Sequence, residues 1–95
     1  MDDLIQLHAM VEGRVQGVGF RFYIRQQASA LPIMGWVRNL TDGRVELLAE
    51  GNRRDLEVFL AAVRRGPPGA SVTEVIADWQ PSGGLWSQFS IAPTE

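Results

Sequence analysis

The chain has 95 residues, a formal net charge of −2, 45% hydrophobic residues and no cysteine. That is ordinary globular composition for a single domain spanning residues 1–95, with enough chain to bury one core. It excludes a disulfide framework, a thiolate nucleophile and a zinc–cysteine site, and its acidity argues against a nucleic-acid partner, whose capture rests on excess basic surface. No apolar run approaches the ~20 residues of a membrane span, and the acidic start Met1-Asp2-Asp3-Leu4 does not read as a secretory signal. The expectation is a cytoplasmic, monomeric protein with no membrane partner. All nine basic residues are arginine, which removes Schiff-base chemistry and the lysine of nucleotide-binding loops. His8 is the only histidine, so a multi-histidine metal site is also excluded.

Leu4 to Gly13 alternates, with Ile5, Leu7, Ala9 and Val11 on one side and Gln6, His8, Met10 and Glu12 on the other, as a half-buried strand does. Gly13 to Gly19 carries three glycines and reads as a loop. Phe20 to Leu31 reads as a helix with Phe20, Ile24, Ala28 and Leu31 on its apolar stripe, stopped by Pro32. Ile33 to Asn39 is a second strand, Asp42-Gly43 a hairpin turn, and Arg44 to Gly51 the partner strand. Asn52 can cap a second helix, with Asp55 in its first turn and Leu56, Phe59, Leu60 and Val63 on its core stripe. Gly66-Pro67-Pro68-Gly69 ends that helix. Ser71 to Trp79 is a fourth strand, Pro81 to Gly84 a loop, and Trp86 to Ile91 a short closing strand. The order predicts an α+β, ferredoxin-like βαββαβ sandwich: an antiparallel sheet, two helices on one face, and a short extra C-terminal strand.

Two stretches carry possible chemistry. In the loop that enters the first helix, Gly17 and Gly19 let the N–H groups of Gln16, Gly17, Val18, Gly19 and Phe20 turn inward. The helix start adds unpaired N–H groups and partial positive charge, and Arg21 a planar fork suited to phosphate oxygens. On spacing alone, a connector with a surface arginine fits equally well. In the second stretch, Asn39 stands where a strand enters its hairpin. Its amide can donate and accept at once, which suits holding a water, but asparagine also suits turn geometry by itself.

Together the two stretches resemble the signatures of the acylphosphatase family. Val11-Glu12-Gly13-Arg14-Val15-Gln16-Gly17-Val18-Gly19-Phe20-Arg21 matches the first, and Gly35-Trp36-Val37-Arg38-Asn39 with Gly43, Val45 and Gly51 matches the second. Gly66-Pro67-Pro68-Gly69-Ala70 and Val72 look like the family's entry into its fourth strand. The resemblance implies the same ferredoxin-like fold and metal-free hydrolysis of the carboxyl–phosphate bond of acyl phosphates, with no cofactor. It makes Arg21 the phosphate-binding residue and Asn39 the residue that positions water. Pro32 departs from the glycine common at that position, and Ile91-Ala92-Pro93-Thr94-Glu95 lacks the basic-aromatic finish of many members.

The chemistry is consistent with that assignment. A carboxylate leaving group, whose conjugate acid has a pKa of about 4, departs without a general acid. Charge on the equatorial oxygens of a loose phosphoryl-transfer transition state can be met by Arg21 and the loop amides. Inorganic phosphate or sulfate should compete as anions of the same shape. A non-catalytic anion-binding or regulatory module is the alternative, and the early end of the chain after the closing strand favours a free-standing enzyme. RNA binding is disfavoured, because the open sheet face would present Gln6, His8, Met10, Arg44, Glu46 and Leu48 rather than stacking aromatics. His8 is expected as a surface residue of a central strand, Arg38 as a solvated or anion-steering side chain, and Trp36, Trp79 and Trp86 as packing residues. Asp2-Asp3 is expected to fray rather than hold a cation.

Overall fold

A computed structural model of the chain describes residues 4–95, so the expectation for Asp2-Asp3 lies outside the described residues. Alternation and helical spacing resolve into seven elements: β1 (Ile5–Arg14), α1 (Phe20–Ser29), β2 (Met34–Asn39), β3 (Val45–Gly51), α2 (Arg53–Arg65), β4 (Ser71–Pro81) and β5 (Phe89–Ile91). They form one five-stranded sheet of order β4-β1-β3-β2-β5. The pairs β1–β4, β1–β3 and β2–β3 are antiparallel, while the closing strand β5 joins the edge parallel to β2. This is the expected ferredoxin-like α+β fold.

The period-two pattern delivers Leu7, Ala9 and Val11 of β1, Val37 of β2, and Val45, Leu47 and Ala49 of β3 to one buried face. Phe20, Ile24 and Ala28 of α1, and Leu56, Phe59, Leu60 and Val63 of α2, cover that face. Burying each large apolar side chain contributes about 1.5–3 kcal/mol, so these facing stripes hold both helices to the sheet. The opposite face has no helix. There His8 Nε2 lies 2.6 Å from Glu46 Oε2, and Arg38 Nε donates to Glu46 Oε1 at 2.8 Å. His8 is therefore a surface residue of a central strand, and Arg38 is paired with Glu46 rather than free. Trp36 lies under the Arg38 guanidinium at 4.7 Å, and Trp79 packs against the core under Arg53 at 4.0 Å.

Three boundaries differ from the sequence reading by two residues or more, while both ends of β1 and the starts of β2 and β3 shift by one. Helix α1 closes at Ser29, because Pro32 disfavours helical backbone at Leu31, and Leu31 N–H instead donates to Ala28 O in a tighter turn. Strand β4 runs on to Pro81, which pairs with Ile5 at the strand's last position, where a missing N–H is tolerated. Strand β5 covers only Phe89–Ile91 rather than starting at Trp86. The N–H groups of Leu85 and Trp86 are taken by the carboxylate of Glu50, at 3.2 and 3.3 Å, which keeps them out of the ladder. Glu50 is 3% exposed and also accepts from Ser82 Oγ, so this buried carboxyl group has three donors. Trp86 itself is exposed, not a packing residue.

Candidate active site

Strand β1 ends at Arg14, and the chain then turns sharply into α1. Gly17 and Gly19 adopt φ +73° and +76° there, a backbone region that L side chains rarely enter. A Cβ at either position would meet no protein atom within 4 Å, so the backbone conformation, not crowding, calls for glycine. Gly19 is also the N-cap of α1, and it offers no capping side chain. The first turn of α1 contains no acidic residue, so the partial positive charge of the helix start is uncompensated and Arg21 adds to it. Among the described residues, the N–H groups of 16–19 donate to no backbone acceptor, and Arg21 makes no ion pair.

Across from this turn stands the end of β2. A cleft of about 220 Å³ lies between the two, lined by Val15, Gly17, Gly19, Phe20, Arg21, Phe22, Asn39 and Ile91. The structure thus brings Arg21 and Asn39, 18 positions apart in the chain, to one depression. Asn39 Oδ1 is buried and has no hydrogen-bond partner among the described residues. A buried acceptor without a donor costs about 1–3 kcal/mol, and such a group persists where a ligand or water meets it.

Two of the loop residues expected to offer N–H groups to an anion have their side chains engaged elsewhere. Val18 packs against the hydrophobic core. Gln16 turns its side-chain amide to the β2–β3 hairpin, where Nε2 donates to Leu40 O at 2.8 Å and Arg44 O at 2.9 Å. Gln16 therefore ties the loop to the strand end that carries Asn39. Both carbonyls lie more than twenty positions away in sequence, so nothing in the local pattern announces the bond. The hairpin is further braced by Asp42, whose Oδ1 accepts from Arg44 N–H at 3.0 Å while its Oδ2 meets the Arg44 side chain. The hydrogen bond from Arg44 holds the Asp42 carboxyl below its usual range.

The C-terminal residues, despite their atypical composition, extend the β5 edge along β2. Ala92 N–H donates to Val37 O, Glu95 N–H to Asn39 O, and Thr41 N–H to the Glu95 main-chain oxygen. Asn39 thus has its backbone held from this side and its neighbour Leu40 held by Gln16. The lining residues not singled out from sequence are Val15, Phe22 and Ile91. Phe22 carried a signal, since an aromatic off the Phe20–Ile24–Ala28 stripe has no core to enter.

The comparisons with known proteins agree with this fold. The chain is similar to an acylphosphatase of Acaryochloris marina, at 45% identity over 87% of this chain and 89% of that one. Its fold matches the crystal structure of acylphosphatase from Bacillus subtilis with a TM-score of 0.90 at 42% identity, covering 93% of this chain and 98% of the other. The structure of an acylphosphatase from Coxiella burnetii matches with a TM-score of 0.88 at 36% identity, covering 95% and 94%. The acylphosphatase family model covers residues 7–91, which takes in both walls of the cleft. The chain belongs to the acylphosphatase family.

Proposed function

We propose that the cleft between Arg21 and Asn39 is where this acylphosphatase hydrolyses the carboxyl–phosphate bond, and that it does so without a metal ion or cofactor. The observation that carries the reading is a juxtaposition. An uncapped helix start with an unpaired arginine shares one cleft with an asparagine whose amide oxygen is buried without a donor.

The guanidinium of Arg21 and the N–H groups at the start of α1 bind the phosphoryl oxygens, and they bind more strongly as charge gathers there. The side-chain amide of Asn39 hydrogen-bonds a water, which aims a lone pair of that water at phosphorus. As the water oxygen bonds to phosphorus, the bond to the acyl oxygen breaks and its electron pair leaves with the carboxylate. The leaving group needs no proton, because its conjugate acid has a pKa of about 4. The proton of the attacking water passes to a phosphate oxygen, so no protein base is used.

Inorganic phosphate and sulfate, tetrahedral anions, compete for the same groups. The cleft of about 220 Å³ suits a small-molecule substrate, on which the chain acts as a monomer in this reading. The net charge of −2 speaks against a nucleic-acid partner. Among the described residues no helix is long and apolar enough to cross a membrane, and the cysteine-free composition suits the cytoplasm.

The test is phosphate release from acetyl phosphate in excess EDTA, with Arg21→Ala as the control. Activity that persists in the native chain and falls in the variant is expected. Loss on chelation with recovery on adding Mg²⁺ would overturn the metal-free reading.

A further inference from the structure

The polar groups of the cleft account for the phosphoryl end of a substrate and leave an apolar wall unassigned. Val15 and Phe20 on that wall are almost fully buried and serve the core. Phe22 and Ile91 have surface to offer. Phe22 is 52% exposed, one of the few large apolar side chains left open to water, and it follows Arg21 directly on the first turn of α1. Its ring does not float freely, because the Arg25 guanidinium, one turn later, stacks over it at 5.3 Å. Ile91 is half-buried at the end of β5, on the side of the cleft towards Asn39.

We infer that Phe22, braced by Arg25, forms with Ile91 an acyl subsite that favours bulky, uncharged apolar acyl groups over acetyl or carbamoyl. The inference rests on the reading of Arg21 and Asn39 as the phosphoryl end of the same cleft. Only the acyl portion of the substrate varies between acyl phosphates, so only groups beside the phosphate site can discriminate among them. An aromatic or branched acyl chain laid against the Phe22 ring removes apolar surface of both from water. An acetyl group is too short to cover the ring, and a carbamoyl group would present its amide to a wall without polar partners. Hydrophobic discrimination of this kind amounts to about 10-fold or more in kcat/KM.

The experiment compares kcat/KM for benzoyl phosphate and acetyl phosphate in the native chain, Phe22→Ala, Phe22→Leu and Val58→Ala. Taking the benzoyl-to-acetyl ratio in each protein cancels the intrinsic reactivity of the two anhydrides. In Phe22→Ala the ratio should fall about 10-fold, and in Phe22→Leu by a smaller factor. It should hold its native value in Val58→Ala, which removes a similarly exposed apolar side chain from α2, outside the cleft. A second measurement uses phenylphosphonate and methylphosphonate as non-hydrolysable competitors. The preference for phenylphosphonate should shrink in Phe22→Ala by a similar factor. An unchanged ratio in Phe22→Ala, or an equal fall for both substrates, would overturn the acyl subsite. Failure of the phosphoryl site itself would show differently, as retention of both activities in Arg21→Ala.

Discussion

The two ends of the sheet treat buried polar groups in opposite ways. At the end where α2 begins, Asn52 caps the helix by accepting from Asp55 N–H at 2.9 Å, and Asp55 sits in the positive first turn. Beside it, the buried carboxylate of Glu50 is met by Ser82, Leu85 and Trp86. At the end where α1 begins, the helix has no side-chain cap and no acid, and Asn39 Oδ1 is buried with no donor. The first end is electrostatically closed and contributes stability. The second is left open: N–H donors and a guanidinium stand on one wall, and the side-chain amide of Asn39 on the other. A tetrahedral anion with a water beside it satisfies both walls at once.

Removing a group from the open end should cost activity, and the largest loss is expected at Arg21. Arg21→Ala should lower kcat/KM by about 10²–10³-fold, as losing one strong oxyanion donor typically does. Arg21→Lys should not restore it, because an ammonium lacks the planar fork. Steady-state kinetics with acetyl phosphate, alongside inhibition by inorganic phosphate, should show both kcat and KM affected.

Asn39→Ala should lower kcat on the order of 10²-fold, the scale of a misplaced nucleophile, while the inhibition constant of phosphate stays near the native value. Its Tm should equal or exceed that of the native chain, since the oxygen removed had no partner to lose. A folded variant that keeps kcat but loses phosphate binding would reverse the roles assigned to the two residues.

The closed end predicts the converse. Glu50→Ala removes the acceptor shared by Ser82, Leu85 and Trp86. Leu85 and Trp86 are exposed and can turn to water, so the cost is that of the lost bonds to one carboxyl group, about 1–3 kcal/mol in all. Thermal melting should show a loss of roughly 10 °C, with kcat close to native, because this end makes no contact with the cleft.

The smallest effect is on acid stability at the open sheet face. Burial raises the pKa of Glu46, but hydrogen bonds from His8 and Arg38 outweigh it, and the carboxyl is held below its ordinary value. A depressed folded-state pKa contributes stability above the unfolded value of about 4.3, lost as pH falls through the folded value. Glu46→Gln should therefore be less stable than the native chain at neutral pH. The gap should narrow below about pH 4, as read by denaturant melts across that range.

The elements of the fold were largely legible, because each rests on local chemistry. The Leu7–Ala9–Val11 alternation, the Leu56–Phe59–Leu60–Val63 stripe and the Asn52 cap all act within a few residues of themselves. Where a distant partner decides, the sequence falls silent. The closing strand is short because Glu50, more than thirty positions earlier, captures the chain just before it. The site follows the same division. The helix start, Arg21 and Asn39 could be picked out by residue type and by resemblance. That the Gln16 side chain serves the hairpin could not, because its partners Leu40 and Arg44 arrive only through the pairing of β2 with β3.

Strand β4 is eleven residues long and pairs only with β1, which leaves a full row of main-chain groups along its outer side. Such an edge is a template for joining a second chain. Glu74 and Asp78 flank Ile76 at equal distance on the helix-free face, so two copies meeting antiparallel about Ile76 would set each acid against the other. Like charges directly opposite one another disfavour that register. The same two carboxylates, which make no ion pair among the described residues, thus act as a guard against edge-to-edge pairing along this border.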